Sequence, residues 1–375
     1  MKLMHLSDLH LGKTLSGYSL REDQRYILDR ILEITEEQKP DCILIAGDVF
    51  DRSAPSAETV TLLDDFLTGL AAYHIPILMI AGNHDSPERI AYGGRIMQSS
   101  GIYLSPVYDG TIRSVTLSDA YGEVCFWLMP FLHTEDVRTH FKDTKIPHAN
   151  AAMQTVIGSM QLDPSVRNVL IAHQFVVGAS LSDSEEMYCG TAEQVSREVF
   201  APFVYTALGH LHRPQNVGSV RIRYCGTPLK YSAAEADIAK SVTFVELGDR
   251  DCEPVITTVP LVPMRDMQKL RGSFQELMEG TNDNYVHIVL TDETDIPDAM
   301  GKLRMRYPYL IGMKYDREET FDVSGIEELG QEAEKDPAAL FSAFFEQVFP
   351  SGMSEEQEQI IQDLVREIWT KEDDE

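Results

Sequence analysis

Five short polar motifs occur in order in the first part of the chain, and together they carry carboxylate, amide and imidazole groups. The motifs are Asp8-Leu9-His10, Gly47-Asp48-Val49-Phe50-Asp51, Gly82-Asn83-His84-Asp85, Ala172-His173 and Gly209-His210-Leu211-His212. Two divalent cations about 4 Å apart need a bridging carboxylate, further oxygen and nitrogen ligands, and open positions for water and phosphate. The motifs supply this set and predict a dinuclear metal site that cleaves phosphate esters.

Each motif follows an apolar run that is typical of a buried strand. The runs occupy residues 3–6, 43–46, 77–80, 169–172 and 204–208. Residues just beyond strand ends lie along one edge of a sheet, where loops converge on a crevice. A spacing of two, as in Asp8/His10 and His210/His212, lets both side chains of a pair face that edge.

Each motif taken alone also has an ordinary structural explanation. Asn-His-Asp is a common turn composition, and a lone histidine such as His173 after a strand is more often structural. The occurrence of all five motifs in order, each at a strand end, favours the metal site. The remaining histidines fit no ligand spacing and are interpreted as structural or solvated: His5, His74, His133, His140, His148 and His287.

The order of the motifs resembles the calcineurin-like metallophosphoesterase superfamily and, within it, the SbcD family of bacterial nuclease subunits. The segments that resemble SbcD are residues 7–13, 82–89 and 207–214, and Gly226-Thr227-Pro228-Leu229 followed by Tyr231-Ser232. The resemblance covers about the first 235 residues well.

This resemblance implies two metal ions that share Asp48 as a bridge. Besides the bridge, one ion would be held by Asp8, His10 and His212, and the other by Asn83, His173 and His210. A donor set of carboxylate, amide and imidazole without thiolate suits Mn²⁺, with Mg²⁺ as a poorer substitute.

The resemblance also implies roles for two residues that are not ligands. His84 would face the phosphate and either protonate the leaving oxygen or stabilise developing charge, for which its ring must be cationic. A nearby carboxylate favours the cationic form, and Asp51 at the end of the Gly-Asp-x-x-Asp motif would supply it. Archaeal and eukaryotic relatives often have histidine at that position, so the role of Asp51 stays open.

Length and composition indicate a multidomain intracellular protein. The chain has 375 residues, of which 43% are hydrophobic, enough for a substantial core in two or three units. Five cysteines lack Cys-x-x-Cys spacing, and Cys42 and Cys125 fall in apolar strands, which indicates reduced core thiols. No apolar stretch approaches about 18 residues, and no signal sequence precedes Asp8. We therefore expect a cytoplasmic protein that does not bind membranes.

The net charge of −28 at first argues against a nucleic-acid enzyme, since phosphate contacts normally come from Lys and Arg. Residues 316–375, however, carry 19 acidic and 4 basic residues. This segment alone therefore accounts for over half of the net negative charge of the chain. No basic patch that would hold DNA tightly is evident in the rest. This shortage indicates either that a partner supplies much of the DNA contact or that DNA binding is weak.

Changes of pattern predict four segments. They are a metallophosphoesterase nuclease domain over 1–261, a capping domain over 262–315, an acidic linker over 316–335 and a C-terminal helical segment over 336–375. In the first domain, strands alternate with helices over 20–38 and 56–73 and then give way to shorter strands. This predicts an α/β fold, a four-layer core with two facing sheets flanked by helices.

The capping domain is expected to be a small α+β unit. The predicted order is a helix over 266–278, a strand over 285–290, a helix over 296–306 and a strand over 309–315. Lys302, Arg304 and Arg306 cluster on the second helix. A solvated helix face is the simpler interpretation of this cluster, and the resemblance implies a cap that helps to hold DNA over the metal site.

Two amphipathic helices are predicted at the end of the chain. The first begins at Asp336-Pro337, an N-cap with proline at N1, and the second begins with a capping box from Ser354 to Gln357. Their apolar faces include Phe341, Phe344, Phe345, Ile361, Leu364 and Trp369. Such faces must be buried, against each other, against the body or, as the resemblance implies, against the coiled-coil root of SbcC, an SMC-type ATPase.

These observations predict a manganese-dependent DNA nuclease that acts with an SbcC-like ATPase on double-strand ends and hairpins. The resemblance implies ATP-dependent double-strand 3'-5' exonuclease and single-strand endonuclease activities in DNA repair, recombination and replication. It also implies a homodimer within a heterotetramer. The alternatives are a phosphoesterase for a small ester or cyclic nucleotide, disfavoured by the cap and terminal helices, and a non-catalytic scaffold, disfavoured by the intact ligand set.

Overall fold

The computed structural model describes residues 1–180, 194–316, 341–342, 345, 353 and 355–369. The chain divides into two compact units, Met1–Asp316 and Arg317–Glu375. In the described part, no helix is long and apolar enough to cross a membrane.

The elements of the described residues follow in chain order. The strands are β1 (Lys2–Leu6), β2 (Thr14–Leu15), β3 (Tyr18–Ser19), β4 (Cys42–Ala46), β5 (Ile77–Ile80), β6 (Ile102–Leu104), β7 (Arg113–Asp119), β8 (Gly122–Leu128), β9 (Arg167–His173), β10 (Tyr205–Gly209), β11 (Gln215–Val217), β12 (Ser219–Tyr224), β13 (Ser241–Glu246), β14 (Val255–Pro260), β15 (Met267–Gly272), β16 (Tyr285–Leu290) and β17 (Leu310–Tyr315). The α-helices are α1 (Arg21–Gln38), α2 (Ala57–Ala71), α3 (Pro87–Ile90), α4 (Gly94–Met97), α5 (Thr134–His140), α6 (Ala149–Ser159), α7 (Phe274–Glu279), α8 (Ala299–Arg304) and α9 (Glu355–Trp369).

Two mixed sheets of six strands form the centre of the first unit. The first has the order β14-β13-β1-β4-β5-β6, with β1, β4, β5 and β6 parallel and β13 and β14 antiparallel to their neighbours. The second has the order β11-β12-β10-β9-β8-β7, with β8, β9, β10 and β12 parallel. Strands β4 and β5 are buried throughout, as expected of parallel strands covered on both faces.

The sheets face each other and are covered by helices on their outer sides. Leu44 and Leu78 of the first sheet share a buried apolar cluster with Phe126 and Ile171 of the second. A second cluster joins the outer face of the first sheet to α1 and α2, and a third joins the outer face of the second sheet to α6. This arrangement confirms the predicted four-layer α/β core.

A third sheet, β15-β16-β17, is wholly parallel and contains the residues predicted for the cap. The predicted helix over 266–278 is wrong, because Met267–Gly272 form β15 and the helix begins only at Phe274. Ser273 and Glu276 form a capping box that marks this start. The apolar residues Met267, Leu270 and Phe274 have helix-like spacing. The sequence pattern therefore does not indicate that a strand precedes the helix.

Helix α9 is the described element of the second unit, and it lies where the second C-terminal helix is predicted. Leu364 is exposed and Ile361 is half-buried. Phe341 is also exposed, and its ring lies 6.5 Å from that of Phe345. Phe344, the side chain of Trp369 and nearly all of the predicted linker lie outside the described residues.

Candidate metal centre

The five polar motifs lie at the carboxyl ends of five parallel strands, three in the first sheet and two in the second. β1, β4 and β5 lead into Asp8, Asp48 and Asn83. β9 ends at His173, and β10 leads into His210. The main-chain N–H of His210 donates to Asp8 Oδ1 at 3.0 Å, so the carboxylate from one sheet fixes the loop from the other.

Asp48 is at the centre of the cluster. Its Oδ2 lies 3.3 Å from His173 Nε2, 3.7 Å from His10 Nε2 and 4.0 Å from His84 Nε2. Its side chain belongs to two groups of potential ligand atoms, one with His10 and His84 and one with Asp8 and His173. One carboxylate therefore serves both halves of the cluster.

The other predicted ligands surround Asp48. Asn83 Oδ1 lies 3.0 Å from both His173 Nε2 and His210 Nδ1. His173 donates from Nδ1 to the Ala46 carbonyl at 2.8 Å, because a carbonyl oxygen can only accept, and this leaves Nε2 facing the cluster. The ring of His212 lies edge-on to that of His10, with centroids 5.2 Å apart. The structure thus brings all seven predicted ligands together.

The electrostatics of the cluster fit divalent cations. Burial raises the pKa of Asp8 to about 6, and the nearby charge of Asp48 adds to this effect. Both ring nitrogens of His10 are buried and have no hydrogen-bond partner among the described residues. Buried carboxylates and unpaired imidazole nitrogens are unfavourable unless something compensates them. Cations coordinated by these oxygen and nitrogen atoms would do so, and the donor set fits them.

The loops that carry the ligands hold strained backbone. Asp8, His10, Asp48 and His210 all have positive φ, between 43° and 106°. This region is costly for residues other than glycine and tends to persist only where the surrounding structure enforces it. Asp85 helps to enforce it, because its carboxylate accepts from the main-chain N–H groups of Val49, Phe50 and Gly82.

His84 and Asp51 meet through the main chain of Asp51. His84 Nδ1 lies 3.0 Å from the Asp51 carbonyl oxygen, whereas the Asp51 carboxylate lies 2.7 Å from Lys13 Nζ and 3.7 Å from His10 Nδ1. The expected contact of this carboxylate with His84 is therefore replaced by a carbonyl contact, since Lys13 attracts the carboxylate. His84 itself is 43% exposed at the rim of the cluster.

Two supporting residues were not singled out from the sequence. Gln24 of α1 donates to the His10 carbonyl at 2.8 Å and accepts from Gly12 N–H at 2.9 Å. Tyr231 donates to the Leu9 carbonyl at 2.5 Å. Together they clamp the loop that carries His10. Gln24 gave no local signal, whereas Tyr231 lies in a segment already noted for its resemblance.

A buried ion pair lies behind His212. Glu235 Oε1 accepts from His212 Nδ1 at 3.0 Å, and Lys240 Nζ donates to Glu235 Oε2 at 2.6 Å. Burial alone would raise the pKa of Glu235, but the His212 hydrogen bond and the Lys240 charge lower it to about 2. The sequence offered no motif for this pair.

The predicted DNA-binding residues lie at the end of α8 and just beyond it. Lys302 Nζ donates to the Pro297 carbonyl at 2.8 Å, and Arg306 Nε donates to the Met278 carbonyl at 2.7 Å. Arg304 is exposed. Two of the three side chains thus take part in hydrogen bonds within the cap, and the DNA-binding role stays a prediction.

Residues of the predicted capping domain also contact the two-sheet core directly. Asp23 of α1 accepts from Tyr285 OH at 2.8 Å and pairs with Arg265 at 3.1 Å. Lys230 pairs with Asp266 at 2.9 Å. The two Asp23 contacts hold the start of the third sheet against α1, the helix that carries Gln24. The Lys230–Asp266 pair joins the same region to the segment after β12.

Comparison with known proteins identifies the family of this chain. The calcineurin-like phosphoesterase family matches residues 1–214, and the family described as type 5 capsule protein repressor C-terminal domain matches residues 263–349. The chain is 32% identical over 384 aligned residues to the SbcD subunit of the nuclease SbcCD from Staphylococcus epidermidis, covering 99% of this chain and 100% of the relative.

Solved structures that match this chain include a dimetal phosphatase from Danio rerio and the protein TT1561 from Thermus thermophilus. Both are 12% identical and cover 70% of this chain, with TM-scores of 0.41 and 0.40. The matched regions span 96% of the phosphatase chain and 99% of the TT1561 chain. The full-length identity and the matched phosphoesterase region show that the chain belongs to the SbcD family of calcineurin-like phosphoesterases.

Proposed function

We propose that this chain is the nuclease subunit of an SbcCD-type complex and hydrolyses DNA phosphodiester bonds at the cluster around Asp48. The observation that carries the proposal is the shared carboxylate of Asp48, which belongs to two groups of potential ligand atoms. Full-length similarity to an SbcD subunit supports the substrate class.

Two divalent cations fit this cluster, and Mn²⁺ is the proposed ion. Asp8, His10, Asp48 and His212 would hold one ion, and Asp48, Asn83, His173 and His210 the other. Mg²⁺ would substitute poorly, because the imidazole share of the donor set favours a softer ion. When bound, such cations activate water and neutralise phosphate charge.

His84 is proposed to act on the phosphate directly. Because its Nδ1 donates to the Asp51 carbonyl, Nε2 is the nitrogen that can present a proton. That nitrogen lies 4.0 Å from Asp48 Oδ2. A cationic His84 would give its proton to the departing oxygen or stabilise the charge that develops there. Asp51 would support His84 through its main chain.

The chain is further proposed to work with an SbcC-like ATPase on double-strand DNA ends and hairpins, as a homodimer within a heterotetramer. Phe341, Phe344, Phe345, Ile361, Leu364 and Trp369 would dock on the ATPase. Lys302, Arg304 and Arg306 would approach DNA. The exposed Leu364 and Phe341 side chains support the docking role, because apolar faces of this kind favour a partner.

The test is cleavage of an end-labelled hairpin duplex by the purified chain with Mn²⁺, with and without SbcC and ATP. A chromogenic bis-ester and a monoester are assayed beside it. We expect DNA cleavage that SbcC and ATP enhance and that Asp48→Asn abolishes. Asp29→Asn on the exposed side of α1 is the matched control and should keep full activity.

The alternatives give distinct outcomes in the same assay. Rapid turnover of the small esters without DNA cleavage under any condition would identify a small-substrate phosphoesterase. No turnover of any substrate, with metal bound, would identify a scaffold.

A further inference from the structure

We infer that Glu235, together with Lys240, is a positioning residue that presents His212 to the metal centre. This inference rests on the proposed function, since it concerns a ligand of the proposed centre. Glu235 is fully buried and lies on a short turn after β12, 23 residues beyond His212. It belongs to none of the five motifs.

The contact between Glu235 and His212 determines which ring nitrogen carries the proton. An ionised carboxylate can only accept, so the 3.0 Å contact with Oε1 requires a proton on His212 Nδ1. In the neutral ring, Nε2 then holds the lone pair that a cation needs. A histidine ligand commonly has its second nitrogen fixed in this way by a carboxylate or a carbonyl.

Lys240 contacts the second carboxylate oxygen of Glu235 and the main chain of His212. Its ammonium group donates to Glu235 Oε2 at 2.6 Å, to Thr227 Oγ1 at 2.6 Å and to the His212 carbonyl at 2.9 Å. These three contacts match the three protons of the ammonium group. The Glu235–Lys240 pair therefore holds both the side chain and the main chain of His212.

Stability alone does not explain a buried pair of this kind. Replacing a buried ion pair by apolar residues of similar volume is often neutral or stabilising, because desolvation offsets the attraction between the charges. His173, by comparison, is oriented by the uncharged Ala46 carbonyl. The placement of Glu235 against His212 Nδ1 points to a role in orienting this ligand.

The first test uses the double variant Glu235→Leu/Lys240→Met, which replaces the pair by apolar side chains of similar volume. Binding of Mn²⁺ to the full-length protein is measured by calorimetry, and folding by circular dichroism and thermal unfolding. We expect a folded protein in which one of two Mn²⁺ sites loses affinity by roughly 10- to 100-fold. Asp119→Asn, at an ion pair with Arg167 outside the centre, should leave Mn²⁺ affinity unchanged.

The second test uses the wild-type protein and does not depend on the folding of a variant. The ring nitrogens of ¹⁵N-labelled His212, assigned by comparison with His212→Asn, should show a hydrogen-bonded proton on Nδ1. A His212 Nδ1 without a proton overturns the inference, as does a folded double variant that binds both Mn²⁺ ions like wild type. Failure of the wild-type chain to bind Mn²⁺ would instead overturn the proposed function.

Discussion

At the scale of single residues, the polar motifs predicted which side chains meet but not how each is held. The proposed ligands could be predicted to lie together because each follows an apolar run, and strand order brings the ends of those runs together. The Glu235–His212 contact joins residues from different loops, so no local pattern indicates it. The Asp51 contact was expected through the carboxylate, but sequence cannot distinguish a side-chain oxygen from a main-chain one.

His84→Ala should separate catalysis from metal binding. We expect kcat on a small diester to fall by roughly 10²–10⁴-fold, the usual contribution of a general acid, while Mn²⁺ affinity is retained because His84 is not among the proposed ligands. Steady-state kinetics and calorimetry measure the two quantities. His140→Ala, an exposed histidine that packs on Tyr108, is the control. A loss of Mn²⁺ from His84→Ala would show that His84 is a ligand.

At the scale of elements, the loops after the strands depend on close backbone packing. Gly82 follows β5, and a Cβ at this position would lie 2.2 Å from Asp48 Oδ1 and 2.3 Å from Asp48 N. Parallel strands and their order were predictable from apolar runs. The boundary between β15 and α7 was not, since helical spacing of apolar residues continues through the strand.

Gly82→Ala should therefore impair the centre more than the fold. The added methyl must displace Asp48, so we expect weaker Mn²⁺ binding at both sites and loss of diesterase activity in a protein that still folds. Calorimetry and circular dichroism check these outcomes. Gly158→Ala in α6, where a Cβ meets nothing within 4 Å, should leave both unchanged. Wild-type Mn²⁺ affinity in Gly82→Ala would show that the loop can rearrange.

Asp119 at the end of β7 should contribute to the free energy of unfolding in a way that depends on pH. Hydrogen bonds from Arg167 and from the amino terminus hold the pKa of Asp119 well below its usual range. A lowered folded-state pKa contributes stability that is complete above the unfolded pKa of about 3.9 and is lost as the pH falls below it. Urea unfolding should show wild type more stable than Asp119→Asn at neutral pH, with the difference shrinking below about pH 4. A difference that stays constant into acid would contradict this.

At the scale of the whole molecule, the acidic excess and the metal centre occupy different parts of the sequence. All proposed ligands lie within the first 212 residues, whereas residues 316–375 hold 19 acidic residues. Composition predicted this division. The contacts that Asp23 makes with Arg265 and Tyr285 could not be predicted, because they join residues that only the folded chain brings together.

Removal of residues 331–375 should abolish binding to SbcC and spare Mn²⁺-dependent cleavage of a small diester. A finer variant is Leu364→Asp on α9, which places a charge on an exposed apolar residue and should weaken SbcC binding without unfolding the chain. Gln362→Asp, also exposed on α9, is the matched control and should bind normally. Pull-down with SbcC and a chromogenic diester assay measure the two effects. Normal SbcC binding by the truncated chain would locate the docking surface elsewhere.

During synthesis, β1 is made long before β13, the strand that pairs with one of its edges. Lys2 pairs with Glu246, so the strand that leads into Asp8 has an open edge until the chain has grown past that residue. At about 5–20 residues per second, β13 emerges roughly 10–50 s after β1. His212 is the last proposed ligand in the sequence, so the ribosome has made every proposed ligand once it has added His212. The partner strand β13 and Glu235 come later. A nascent chain that stops near residue 214 would carry a full ligand set on an incomplete sheet, so metal acquisition should follow the synthesis of β13.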